Sequence, residues 1–188
     1  MDKKKVLVVI DVQNDFVTGA LRNEDAIKTI PNILAKVREY MDNNDLILLT
    51  KDTHYEDTYM KTEEGKNLPV PHCIIETEGW RLVPELTEAL DKYVTKRFYK
   101  SSFGSLTLGQ DIGYHPDNIE SVEIIGFCTD ICVISNALII KSALEYVPVY
   151  VDAACCAGTS REAHSNAIYA MTQCHIDVEN FGNEPWRN

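Results

Sequence analysis

Ser121-Val122-Glu123-Ile124-Ile125-Gly126-Phe127-Cys128-Thr129-Asp130-Ile131-Cys132-Val133 is the stretch that decides the fold of this chain. Val122 to Ile125 reads as a short buried strand, and Gly126 ends it. Thr129 and Asp130 are helix-start residues, and an apolar helical segment, Ile131 to Leu144, follows. Cys132 therefore stands in the first turn of a helix, at the carboxyl end of a strand. Helix N-termini carry positive partial charge and free N–H groups, and both favour a thiolate over a thiol. An open α/β sheet places a nucleophile at such a point.

The same grammar extends in both directions. Lys4 to Ile10 and Leu46 to Thr50 read as buried strands, with a helix of 3.6-residue periodicity, Ala26 to Met41, between them. Leu82 to Leu90 predicts a short helix, Asp91 to Phe98 a short strand and Leu106 to Ile112 another short helix. After the 130–145 helix come a strand at Val147 to Val151, a helix at Ser160 to Gln173 and a last strand at Ile176 to Glu179. Buried strands alternating with helices predict a three-layer α/β/α domain with a mostly parallel central sheet. Residues 51–80 break the pattern. They are polar and rich in turn formers, and a loop of that length in a compact domain is usually functional.

The chain has 188 residues, which fits one domain, 1–188, and a formal net charge of -11. That acidity argues against nucleic acid or an anionic membrane as partner. No apolar stretch is long enough for a signal peptide or a membrane span, so a cytoplasmic location is expected. The six cysteines have irregular spacing and form no CxxC pair, so reduced thiols are expected rather than a structural zinc-thiolate site.

Ligands of parallel sheets bind at the carboxyl ends of the strands. The polar residues there are Asp11 after the first strand, Lys51, Asp52 and His54 after the second, Lys96 near the third, then Cys132 and Asp152. A cysteine nucleophile needs a base, a polarising cation and an oxyanion hole. Asp11, Lys96 and the backbone N–H groups near Cys128 and Cys132 could supply them. Taken singly, each has a plain structural reading: a turn cap, a solvated lysine, a core cysteine.

Three motifs in order are more specific: Asp11-Val12-Gln13-Asn14-Asp15-Phe16, Lys96-Arg97-Phe98-Tyr99 before Ser102-Phe103, and Gly126-Phe127-Cys128-Thr129-Asp130-Ile131-Cys132-Val133. Together they resemble the isochorismatase-like cysteine hydrolases, a superfamily with a Rossmann-like fold that includes nicotinamidases. The resemblance implies an Asp11–Lys96–Cys132 triad. It also implies a cis peptide at Phe127–Cys128 that turns the Cys128 N–H toward the oxyanion beside that of Cys132. The family segment runs Lys-x-x-Tyr-Ser-x-Phe, whereas here Lys100 separates Tyr99 from Ser101-Ser102-Phe103. Lys96 and Lys100 are thus alternatives. Lys96 keeps the spacing to Tyr99 and is preferred, with Lys100 a loop residue at the edge of the site.

Asp52-Thr53-His54, Glu64-Gly65-Lys66 and Pro71-His72-Cys73 offer two histidines and one or two carboxylates, a set suited to Zn²⁺, Mn²⁺ or Fe²⁺. The resemblance assigns Asp52, His54, Glu64 and His72 to a divalent metal, zinc first. Glu64 binds directly or through water, and Glu63 is the adjacent alternative. Without a metal, these histidines would simply stabilise the loop. His115, His164 and His175 lack partners at ligand spacing, and His164 is expected to anchor its helix to the sheet. Phe16, Leu21, Leu68 and Tyr99 are candidate walls for a flat ring. The implied reaction is hydrolysis of nicotinamide to nicotinate and ammonia, with a homo-oligomer as the expected assembly. The competing readings are a related hydrolase of a small amide, ureido or N-carbamoyl compound, and a non-catalytic protein that keeps the fold.

Overall fold

The computed structural model describes residues 3–90 and 93–187. Strand β1 (Lys4–Ile10) buries five consecutive residues, Val6 to Ile10, because helical layers cover both of its faces. It pairs in parallel with β2 (Leu46–Asp52) on one side and β4 (Ile119–Phe127) on the other. β3 (Lys96–Lys100) extends the sheet beyond β2, while β5 (Val149–Ala157) and β6 (Asp177–Glu179) extend it beyond β4. The order is β3-β2-β1-β4-β5-β6, with every adjacent pair parallel.

The two-residue period of β1 divides the interior into two cores. Leu7 and Val9 pack with Ile33 of α2 (Glu24–Asp42) and Leu86 of α4 (Pro84–Leu90). Val6, Val8 and Ile10 pack with Leu108 of α5 (Leu106–Tyr114), Ile140 of α6 (Ile134–Ala143) and Ile168 of α7 (Arg161–Gln173). The expected three-layer α/β/α arrangement is therefore present. Two very short helices, α1 (Asn14–Val17) and α3 (Glu63–Asn67), lie in the segments beyond β1 and β2.

Several boundaries differ from expectation. β5 continues to Ala157 rather than ending at Val151, since Ala153 to Ala157 are small enough to be buried on both faces. Asp152 is consequently mid-strand, where it and Glu123 pair with Lys36 at 3.2 and 2.8 Å, instead of standing on the rim. Cys155 and Cys156 enter opposite cores. The expected third strand begins at Lys96 and runs two residues past Phe98; its first two expected positions, Asp91 and Lys92, lie outside the described residues. The helix expected at 130–145 opens with a π-type turn, Thr129–Val133, before α6 begins. Among the described residues, no helix is long and apolar enough to cross a membrane.

The chain builds outward from β1 to β2 and β3, then returns to place β4 on the other side of β1. That reversal opens a crevice at the carboxyl ends of β1 and β4. Gly126 allows the two strands to approach there. It has φ +123°, and a Cβ on it would lie 2.0 Å from the carbonyl oxygen of Ile10.

Candidate active site

Asp11 leaves β1 in the left-handed region, at φ +48°. Its N–H donates to the Thr50 carbonyl at 3.3 Å, and its Oδ1 accepts from Thr50 Oγ1 at 2.6 Å. Its Oδ2 lies 2.6 Å from Lys100 Nζ. The same ammonium is 3.4 Å from Cys132 Sγ and 3.4 Å from Asp52 Oδ1. Asp11, Lys100 and Cys132 are all buried.

Lys96 is not in this group, which corrects the sequence-based preference. The sheet register pairs Leu48 with Lys96 and Asp52 with Lys100. Lys96 therefore begins β3 while Lys100 ends it, roughly 13 Å further along at about 3.3 Å per residue. Lys96 is exposed and pairs with Asp111. The extra residue after Tyr99 is thus the buried lysine itself.

Burial pushes the Asp11 carboxyl up, against the lowering pull of Lys100. Burial also works against the Lys100 ammonium, but Asp11, Cys132 and Asp52 outweigh it and hold Lys100 well above the usual lysine range. The Cys132 thiol is pushed well up by burial; Lys100 opposes this, and the Asp11 and Asp52 carboxylates add to it. Desolvation and the two carboxylates work against the thiolate that Lys100 and the turn's N–H groups favour. The group holds a cationic lysine, a thiol with a proton to give and a carboxyl whose basicity burial has increased.

The peptide Phe127–Cys128 is cis. Beyond it, the Cys128 carbonyl accepts from the N–H groups of Ile131 and Val133 at 3.1 and 3.0 Å, closing the turn that carries Cys132. Asp130 secures the turn by accepting from the N–H of Thr159 at 2.8 Å and its hydroxyl at 2.5 Å.

Asp52, His54, Glu64 and His72 converge beside Lys100, their ligand atoms all within 4.8 Å of one another. Asp52 Oδ2 is 3.0 Å from His54 Nε2 and 3.4 Å from His72 Nε2. Glu64 oxygens lie 3.7 and 3.4 Å from the same two nitrogens. A tetrahedral site with bonds of about 2.0–2.2 Å spaces its donors about 3.4 Å apart, so this set fits a divalent cation. Burial lowers the His72 pKa, but hydrogen bonds to Asp52 and Glu64 outweigh it and raise it to about 10. Burial raises Asp52, and His54, His72 and Lys100 outweigh it to hold the carboxyl below the usual range. Glu63, one position from Glu64 on α3, points outward to Lys66.

The surroundings orient these donors. His72 Nδ1 is 2.9 Å from the Val70 carbonyl, so Nδ1 keeps its hydrogen and Nε2 is the nitrogen that would give up its proton to bind a metal. Tyr59, whose hydroxyl donates to the Leu68 carbonyl at 2.7 Å, lies 3.3 Å from the same Nδ1. Gln13 holds Asp52 by both backbone groups: its Nε2 donates to the carbonyl at 2.9 Å and its Oε1 accepts from the N–H at 2.7 Å. Asp15 Oδ2 accepts from the Cys73 N–H at 2.7 Å, next to His72. The roles of Gln13, Asp15 and Tyr59 were missed in the sequence. The first two stand within the quoted Asp11–Phe16 motif, while Tyr59 carried no signal.

A hollow of about 930 Å³ reaches Cys132, Asp52 and His72, with Phe16, Leu21 and Leu68 in its wall. Tyr99 is not in it. Side chains alternate along β3, so Tyr99 faces away from Lys100's side and stacks on Trp80, with ring centroids 5.9 Å apart. Phe103 and Ile131 complete the apolar wall.

Known proteins resemble this chain in sequence and fold. The nicotinamidase of Schizosaccharomyces pombe is 26% identical over 204 residues, covering 92% of this chain and 91% of its own. The crystal structure of a nicotinamidase/pyrazinamidase from Bacillus subtilis superposes with a TM-score of 0.82 at 24% identity, over 94% of this chain and 99% of that one, which shows the same fold. The pyrazinamidase of Pyrococcus horikoshii, solved in complex with zinc, superposes with a TM-score of 0.74 at 25% identity, over 93% of this chain and 98% of its own. The isochorismatase domain profile matches residues 5–180, a span that holds Asp11, Lys100, Cys132 and all four clustered metal donors, and on that match the chain belongs to the isochorismatase family.

Proposed function

We propose that this protein is a nicotinamidase, a cysteine amidohydrolase that converts nicotinamide to nicotinate and ammonia. The observation that carries the reading is the contact of one buried ammonium, Lys100, with Asp11, Cys132 and Asp52, which joins a nucleophile to a metal-donor cluster. A divalent cation held by Asp52, His54, Glu64 and His72, zinc first, would supply a Lewis acid for the ring nitrogen of the substrate. A ureido or N-carbamoyl substrate would leave that donor set without a task. The cytoplasm, where thiols stay reduced, is the compartment that goes with this reading.

Cys132 Sγ attacks the carboxamide carbon as its proton passes to Asp11. The Cys128 and Cys132 N–H groups receive the charge that develops on oxygen. Asp11 returns the proton to nitrogen, the C–N bond breaks, and ammonia leaves a thioester on Cys132. A water that gives its proton to Asp11 then attacks the thioester and releases nicotinate, and the proton returns to the thiol. Lys100 remains an ammonium throughout and keeps Asp11 and Cys132 on one nitrogen. The wall of Phe16, Leu21 and Leu68 takes the ring.

The test is ammonia release from nicotinamide by metal-replete protein, by a chelated sample and by Cys132→Ala. Release that disappears in both controls supports the assignment. No release by the metal-replete protein, with Cys132 still alkylated readily, overturns nicotinamide as substrate.

A further inference from the structure

His164 is buried in α7. Its Nδ1 is 2.8 Å from Thr129 Oγ1, in the turn that carries Cys132. Its Nε2 is 3.2 Å from Glu184 Oε1. Burial pushes the imidazole pKa down, which favours the neutral ring although Glu184 pulls the other way, and the two contacts choose the tautomer of that ring. A carboxylate can only accept, so Nε2 carries the hydrogen and donates to Glu184. Nδ1 is then an acceptor, and the Thr129 hydroxyl must donate to it. Every hydrogen in the chain Thr129–His164–Glu184 has one direction.

Glu184 is itself held from several sides. It accepts from the Gly182 N–H at 3.0 Å and pairs with Arg187. The rest of the C-terminal segment closes around the imidazole. Phe181 stacks on it at 6.4 Å between centroids, and Trp186 meets it edge-on at 5.1 Å. The Trp186 indole N–H donates to the Cys156 carbonyl at 3.4 Å. Glu184 and Trp186 lie beyond residues 5–180, the span matched by the family profile.

We infer that the C-terminal segment is a latch on the active site, in which Glu184 orients His164 and His164 positions the Thr129–Val133 turn and hence Cys132 and the Cys128 N–H. His164 and Glu184 are positioning residues that touch no reacting atom. The inference uses the cysteine-hydrolase reading for its kinetic consequence, but the state of the turn can be measured without a substrate.

The experiment compares Thr129→Val, Thr129→Ser and Glu184→Gln with the wild-type holoenzyme. It records kcat and KM for nicotinamide, amide hydrogen exchange of peptides spanning 128–133, and the rate of Cys132 alkylation by iodoacetamide mapped by mass. Thr129→Val keeps the shape and removes the donor. Its expected kcat is about ten- to a hundred-fold lower, with KM little changed, as for a small misplacement of reacting groups. Exchange in 128–133 should quicken while β1 stays protected, and the Cys132 alkylation rate should change with it. Thr129→Ser should recover all of these readouts, and Glu184→Gln should follow Thr129→Val in direction. Unchanged kcat, exchange and alkylation in folded Thr129→Val would overturn the latch. So would exchange raised uniformly across the chain, which marks general destabilisation. If the wild type releases no ammonia, the nicotinamidase reading fails by itself, and exchange and alkylation alone decide the latch.

Discussion

Lys100 Nζ lies 2.6 Å from Asp11 Oδ2 although their strands, β3 and β1, are not neighbours, since β2 stands between them. The long lysine side chain spans the end of β2 and brings its charge to the crevice beside β4. On the way it also meets Asp52, the last residue of β2. One cation therefore ties Asp11 and Cys132 to the cluster of Asp52, His54, Glu64 and His72.

Removing that cation should be costly in two ways. Lys100→Ala should lower kcat/KM for nicotinamide by at least about a hundred-fold. It should also destabilise the fold by about 3–5 kcal/mol, because the buried Asp11 carboxylate loses its partner. Lys96→Ala should keep activity within about two-fold, since it breaks only an exposed ion pair. The paired kinetics decide the matter: a severe loss in Lys96→Ala with Lys100→Ala active would refute the assignment.

The metal-donor cluster can be tested by elemental analysis of purified variants. Glu64→Gln and His72→Ala should bind zinc at least about ten-fold more weakly than wild type, and chelation should lower the melting temperature of wild type most of all. Glu63→Gln, whose carboxylate faces Lys66, should retain wild-type metal content. Equal metal loss in Glu63→Gln and Glu64→Gln would contradict the arrangement.

Gly126→Ala should be destabilising without touching any side chain of the site. Its φ of +123° suits glycine, and the added Cβ would meet the Ile10 carbonyl oxygen at 2.0 Å. The expected cost is about 2–4 kcal/mol, read from urea unfolding. A change below about 0.5 kcal/mol would mean that β1 and β4 can separate at no cost.

His164 gives stability a signed pH dependence. Burial lowers its pKa from 6.5, Glu184 pulls the other way and Arg187 adds to the lowering. As pH falls below about 6.5 the unfolded chain takes up a proton that the folded imidazole refuses. Stability contributed by this residue is therefore complete above 6.5 and declines below it, until the folded imidazole itself titrates. The Glu184 carboxyl is lowered from 4.5: burial raises it, but the bonds from Arg187 outweigh that, so its own loss starts at more acid pH. The slope of unfolding free energy between pH 6.5 and 5 should be shallower in His164→Gln than in wild type. Identical slopes would show that the folded imidazole takes up its proton as readily as the unfolded one, and so that its pKa is not lowered.

Much of this molecule was legible one residue at a time. The continuous apolar run of Val6 to Ile10, the apolar stretch before Gly126 and the helical spacing from Ile27 to Met41 each report a local preference that tertiary packing left intact. Asp11, Cys132 and the metal-donor residues follow strand ends or interrupt the long 51–80 loop, and those donors do assemble. The three-layer parallel sheet follows from the alternation of these elements.

What the sequence by itself determined was thus the order of buried strands and helices, and with it the edge of the sheet where chemistry could gather. The tertiary structure alone chose Lys100 over Lys96, because the choice depends on the register of β3 against β2. It alone turned Tyr99 away from the hollow and Glu64 toward the histidines. It also buried the Cys132 thiol, which pushes its pKa up, and brought Glu184 to His164. Register, burial and charge are sums over neighbours far apart in the chain, whereas strand and helix periods are local, and only local preferences can be read along a sequence.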